Sequence, residues 1–308
     1  MGITVQKLTY YPVKGCAGTA VETARVGETG LEHDRTFMVV DAADGTFRSQ
    51  RALPAMAAIR PEIVDGGVAL RLSAGGVESV LLEVDPDGER RPVSMFGRDI
   101  GEGADQGDAA AEWFSEVLGA KSRLVRVPSG FDRDGWGETP GKVAFADAHA
   151  VLVASQASLD GLNARIAQRG AERGTERGTE RGTERGTERG TERGMRQAAA
   201  PVPMDRFRAN IVLDGCTEPH AEDEMRRLEI GTVRLAYAVR AMRCSVPLVD
   251  QLTGLRAGPE PIRTLATYRR EPEYENKVSF GMKAAVVQHG TLAVGDPVLP
   301  TWASGAAA

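Results

Sequence analysis

An alternating apolar run begins with Val5, Leu8 and Tyr10 and ends in Tyr11-Pro12-Val13-Lys14-Gly15-Cys16, a strand that runs out into a glycine-containing loop. Residues 37–41 and 46–50 flank Ala42-Ala43-Asp44-Gly45, which predicts a hairpin with Arg35 before it and Arg51 after it. A second hairpin, 69–73 with 79–84, turns at Gly75-Gly76, and 92–96 predicts one more strand. The N-terminal part is therefore mostly β. Its one clear helix follows Asp108, a candidate cap, carries Trp113, Phe114, Val117 and Leu118 on one face and stops at Gly119.

Further on, 123–128 predicts a strand that leads to a turn-rich loop, 129–137, displaying Phe131 and Trp136; such a loop can cover a pocket or simply connect domains. Residues 148–154 predict a buried strand, and Ser155 caps the helix that follows. After Ala171-Glu172-Arg173-Gly174 come five copies of Thr-Glu-Arg-Gly ending at Gly194. A glycine in each unit taxes a helix by ~1 kcal/mol and nothing apolar compensates, so disorder is expected from about residue 168 to 202. The segment Arg206-Phe207-Arg208-Ala209-Asn210-Ile211-Val212-Leu213 predicts a strand with Arg206, Arg208 and Asn210 on one face. A last alternating run, Val233, Leu235, Tyr237 and Val239, predicts a strand that ends at Arg243-Cys244.

At 308 residues and 42% hydrophobic content the chain can bury a large core and form about two domains of ~100–200 residues. A net charge of −5 argues against a nucleic-acid footprint, which would show as a basic surplus. The start lacks the basic and apolar regions of a secretory signal, and no window reaches ~18 consecutive apolar residues, so a soluble cytoplasmic protein is expected, with no membrane role. Three cysteines without a CxxC pair argue against a disulfide framework or structural zinc, and four scattered histidines offer no metal-ligand spacing.

Chemistry concentrates on Cys244. A thiol after Arg243, where a strand gives way to a loop, sits in an electropositive place that favours thiolate, the form that attacks electrophiles or binds a metal. The alternative is a buried structural thiol. Lys14 and the Gly15 backbone face outward from a strand end, and Arg35 and Arg51 offer planar forks of donors for phosphate or carbonyl groups.

The series RFRANIVLDGCTEPHAEDEMRRLEIGTVRL, AMRCSVPLVDQLTG, PIRTLATYR and SFGMKAAVVQHGTLAVGDPV, in that order and spacing, resembles the MOSC (molybdenum cofactor sulfurase C-terminal) family, and within it the mitochondrial amidoxime reducing component and its bacterial relatives. YYPVKGC, GLEHDRTFMVVD and RSQRALP resemble the β-rich domain that precedes MOSC in those proteins. The resemblance implies an α+β fold: a small β-rich N-terminal domain, 1–128, packed on a MOSC domain, 129–300, with a β-barrel-like core. It implies a molybdenum cofactor, a mononuclear molybdenum on a pyranopterin dithiolene. Lys14, Gly15, Arg35, Arg51, Ser155, Ser158, Arg208, Asn210 and Arg243 would contact that cofactor, Cys244 would be the metal ligand, and Asp250 would pass protons. Family members often carry Ser where Gly15 stands and Pro where Ala209 stands.

The reaction implied is two-electron reduction of the N–O bond of an N-hydroxylated small molecule to the N–H compound and water. Too few cysteines for an iron–sulfur cluster, which needs about four, mean that electrons come from a separate donor protein of ferredoxin, flavoprotein or cytochrome type. The rival readings are sulfur transfer through a persulfide on Cys244 and a non-catalytic cofactor carrier.

Overall fold

In the computed structural model, which describes residues 2–180 and 200–303 and only the backbone of 173–180, the long alternating runs of the C-terminal part form the centre of the fold. Val233–Arg243 and Lys277–Gln288 lie antiparallel, Leu235 opposite Val286 and Arg243 opposite Val278. They belong to a nine-stranded sheet ordered Val298–Trp302, Met225–Ile230, Val233–Arg243, Lys277–Gln288, Val151–Ser155, Ile211–Asp214, Thr4–Tyr10, Thr19–Val21, with Arg270–Glu271 paired on the side of Lys277–Gln288. Val151–Ser155 and Ile211–Asp214 run parallel to each other. Thr4–Tyr10 pairs antiparallel with Ile211–Asp214, so the first strand of the chain is built into the sheet of the C-terminal part.

The sheet curls until its edge at Val298–Trp302 returns to the first strand, where the Val298 N–H donates to the Ile3 carbonyl at 2.8 Å. Only one isolated bridge, Thr4 to Pro297, joins them there. Pro297 has no N–H to continue a ladder. The barrel-like core implied by the family resemblance is thus an α+β, strand-rich fold with a curled sheet that does not close.

A second sheet orders Arg90–Met95, Arg98–Asp105, Ser122–Arg126, Phe37–Asp41 and Val13–Lys14. Helix α1 (Gly107–Leu118) packs on it, burying Trp113 and Phe114 edge to face with ring centroids 5.2 Å apart. Gly119 ends the helix at φ +61°, as expected. Asp108 does not cap it; the residue lies within the first turn and its carboxylate accepts from Arg123 at 3.1 Å. The hairpin predicted over 37–50 is also shorter than expected. Its second arm reduces to one bridge, Phe47 to Val40, and residues 48–51 turn away toward the cavity described below.

Helix α2 (Gln156–Glu180) buries Leu159, Leu162 and Ile166 against Phe207, Phe280 and their neighbours. Ser155 caps it, its Oγ accepting from the Ser158 N–H at 3.1 Å. The helix continues through residues 168–180, where disorder was expected. Glu, Arg and Gln are good helix formers, and an i,i+4 bond from Gln168 to Glu172 at 3.0 Å adds to them against the glycine penalty. The rest of the repeat, 181–199, lies outside the described residues. Among the described residues no helix is long and apolar enough to cross a membrane.

The row of Arg206, Arg208 and Asn210 on one strand face does not form. Met204–Phe207 is a 3-10 turn, Arg208 takes φ +58°, and the strand begins only at Ile211. The turn sends Arg206 and Arg208 in different directions.

Candidate functional site

Residues from both sheets line one cavity of about 690 Å³. Lys14, Gly15, Arg35, Arg51, Arg208, Asn210, Arg243 and Cys244, far apart in sequence, meet there. Eleven lining residues are Lys or Arg and three are Asp, in a chain whose net charge is −5. Such a local inversion of charge makes the cavity a receptacle for anions.

Asp34 and Asn210 organise its floor. The buried Asp34 carboxylate accepts from the Tyr11 N–H at 2.8 Å, from Asn210 Nδ2 at 3.0 Å and from Arg35. Asn210 also donates to the Thr9 carbonyl at 3.0 Å and accepts from Arg35 at 2.9 Å and from the Leu152 N–H at 3.1 Å. An amide has two donors and two acceptor positions, so Asn210 is fully used inside the protein. It was expected to touch the cofactor; instead it positions Arg35.

Arg208 lies 4.1 Å above the Tyr11 ring and donates from Nη1 to Gln251 at 3.2 Å, while its buried Nη2 has no partner. Arg243 donates to the Phe207 carbonyl at 2.8 Å. Arg51 stands 5.0 Å from the Phe96 ring centre and 5.8 Å from that of Phe47. Gly15 has φ +85°, a region that disfavours any side chain, and a Cβ there would meet Met56 Cε at 3.0 Å. That backbone, with its carbonyl held by Gln50 Nε2 at 2.7 Å, suits Gly where relatives often have Ser.

Lys14 donates to the Phe145 carbonyl at 2.9 Å and to Asp147. Burial works to raise the Asp147 pKa, but Lys14, Lys283 and Arg35 outweigh it and hold the carboxylate well below the usual range. The Asp147 side chain is 52% exposed and lines the cavity, so the neighbouring cations and not burial set the direction of its shift. Burial also lowers Lys14, with Asp147 opposing.

The three cysteines separate cleanly. Cys16 is buried and Cys216 half-buried, and burial pushes both thiols up to about 12. Cys244 follows the end of Val233–Arg243, is exposed and lines the cavity, so it is not the buried structural thiol of the alternative reading.

Three expected contacts fall elsewhere. Ser155 and Ser158 are fully buried and both donate to Glu222 at 2.8 Å, so their hydroxyls belong to the helix cap and not to the cavity. Asp250 is not among the lining residues; it accepts from the Thr253 N–H and hydroxyl, each at 2.9 Å, and from Arg206 at 3.3 Å. Those turn bonds lower its pKa, which leaves it an acceptor and a poor proton donor. Sequence reasoning in turn missed Asp34, Gln50, Asp147, Gln251 and Lys283. Asp34 and Gln251 adjoin residues that were singled out, but no spacing rule marks Asp147 or Lys283. Of the loop aromatics, Trp136 lines the cavity at 54% exposure, and Phe131 packs on Phe145 with centroids 5.5 Å apart.

The family described as MOSC domain matches residues 140–299, and the MOSC N-terminal beta barrel domain matches 2–121. Mitochondrial amidoxime-reducing component 1 of Mus musculus is 31% identical over 96% of this chain and 81% of its own length. Mitochondrial amidoxime reducing component 2 of Rattus norvegicus is 30% identical over 96% and 82%. The molybdenum cofactor sulfurase of Danio rerio is 31% identical over 96% of this chain, which spans only 34% of that protein.

Asp147 is the carboxylate that faces Lys14, Lys283, Arg35 and Arg133, so its loss leaves their repulsion uncompensated. Asp147→Asn is expected to lower the melting temperature at low salt and to recover much of the loss in molar salt, where screening is strong. Because the folded-state pKa is depressed, the wild-type stabilisation is fully present above the unfolded value of about 4 and is lost only as pH falls below it. Equal melting of the two proteins at low salt and neutral pH would contradict the role given to Asp147.

Proposed function

The chain belongs to the MOSC family, and from that premise we propose that it is a molybdenum-cofactor oxidoreductase that reduces the N–O bond of N-hydroxylated substrates with electrons from a separate donor protein. The observation that carries this reading is the placement of the one exposed cysteine, Cys244, in a cavity lined by eleven cations.

The residues present fit such a cofactor. An anionic pterin phosphate needs guanidinium and ammonium groups, and Arg208 Nη2 is a buried donor with no partner in the protein. A thiophilic metal needs a soft ligand, and Cys244 supplies it. Bound there, the cofactor would provide the two-electron redox chemistry that N–O reduction requires. Lys14, Arg35 and Arg208 would hold its charged end, with Asn210, Asp34 and Gln251 fixing the two arginines by the bonds described above. Trp136, Phe47 and Phe96 give the cavity apolar wall beside its cations, suited to a flat organic substrate. The donor is assigned to a separate protein because the chain holds three cysteines, short of the about four that a cluster needs. A second reading, sulfur transfer through a persulfide on Cys244, draws support from the likeness to molybdenum cofactor sulfurase and from the exposure of the same thiol.

Cys244→Ser is expected to keep the fold and abolish N–O reduction, since a hydroxyl stays protonated where a thiolate would ligate. Cys16→Ser and Cys216→Ser should stay active per folded molecule. The assay is turnover with a chemical donor such as a reduced viologen, together with metal content, and full activity in Cys244→Ser would sink both readings. A second expectation concerns the two neighbouring arginines. Arg208→Ala should release the cofactor far more readily than Arg206→Ala, because Arg208 lines the cavity whereas Arg206 is tied to the Pro247 carbonyl at 3.0 Å and to Asp250. Equal cofactor retention would remove the reason for singling out Arg208.

A further inference from the structure

Most cations of the cavity are already committed. Lys14 is held by Asp147 and the Phe145 carbonyl, Arg35 by Asp34 and Asn210, Arg243 by the Phe207 carbonyl. Lys283 differs. It lies on Lys277–Gln288 opposite Val239, lines the cavity, and makes no hydrogen bond or ion pair within 4 Å among the described residues. The groups it interacts with electrostatically are Asp147, Arg243, Lys14 and Arg35, together with His149. Four of those five are cations or neutral, so no fixed anion within bonding distance satisfies its ammonium.

We propose that Lys283 is the amine this cavity leaves unpaired for its ligand, so that capture of an anionic group is coupled to uptake of a proton by the protein. The proposal rests on reading the cavity as the seat of an anionic cofactor, and extends that reading to what sets its affinity. The Lys283 pKa is lowered to about 8; burial is the main cause, Asp147 opposes it, and Arg243, Lys14 and Arg35 add to it. His149 cannot take over the role, since burial lowers its pKa and leaves it neutral near pH 7. An oxyanion set beside the amine adds the missing counter-charge and raises the pKa, as any opposite charge within a few ångströms does. The sign follows. Below pH 8 the amine is already charged and the anion binds at full strength; above pH 8 each binding event must first draw a proton, and affinity falls.

The test uses the full chain without cofactor and inorganic sulfate, a dianion that does not itself titrate in this range. Calorimetric titration at pH 7, 8 and 9, in two buffers of different ionisation heat, reads proton uptake directly. Wild type is expected to take up little proton per sulfate at pH 7 and markedly more at pH 9. Lys283→Arg, whose guanidinium does not deprotonate, should bind sulfate within about threefold of wild type and take up none. Lys283→Met should bind about tenfold more weakly at pH 7 and show no dependence on pH up to 9. Proton uptake by Lys283→Arg equal to that of wild type would overturn the proposal by assigning the proton to another group, Lys14 first. Unchanged sulfate affinity in Lys283→Met, or no sulfate binding by wild type, would overturn it too. Any of these results combined with molybdenum retention and loss of turnover in Cys244→Ser would leave the proposed function standing, so the two ideas fail separately.

Discussion

Like charges crowded around one cavity repel, and the architecture of this protein depends on how that repulsion is met. Two unit charges about 4 Å apart at an effective dielectric of 20 interact by roughly 4 kcal/mol, a large part of the 5–15 kcal/mol that holds a domain folded. The cavity answers with counter-groups placed in advance. Asp34 holds Arg35, Asp147 holds Lys14, Gln251 and the Tyr11 ring hold Arg208, and carbonyl oxygens hold Arg243 and Arg133. Each fixed bond removes a rotamer that a ligand would otherwise have to freeze, so binding of an anion costs less ordering entropy.

The same bonds tie the chain together. Asn210 joins the first strand at Thr9, the loop at Asp34, the strand beginning at Val151 through Leu152, and Arg35, all through one amide. Tyr11 repeats the pattern, its N–H on Asp34 and its ring beneath both Arg35 and Arg208. Removing either side chain would therefore loosen the sheet junction and the site at once. Fold and site share one polar network, and buried networks of that kind specify geometry more than they add stability.

Much of this was legible in the residues. Alternation marked the strand that ends beside Cys244, Gly119 marked a helix stop, and the motif order marked eight residues that line the cavity. What failed did so for local reasons. Pattern alone put Arg206, Arg208 and Asn210 on one strand face, but the turn at Met204–Phe207 and the left-handed backbone at Arg208 broke the period. Ser155 and Ser158 have the composition of an anion site, yet Glu222, more than sixty residues away, takes both hydroxyls. Asp147 and Lys283 carry no local signature because their meaning comes from which cations surround them in space, and a linear pattern does not encode that.

The central claim is that this cationic cavity, with Cys244 on its wall, is a seat for molybdenum. The most direct measurement is metal analysis and intact mass of the protein purified from a host that makes the cofactor. Near-stoichiometric molybdenum, with the mass of Cys244 unmodified after the cofactor is removed, is what the account predicts. A protein free of molybdenum but carrying one extra sulfur atom on Cys244 would contradict it and establish the sulfur-transfer reading in its place.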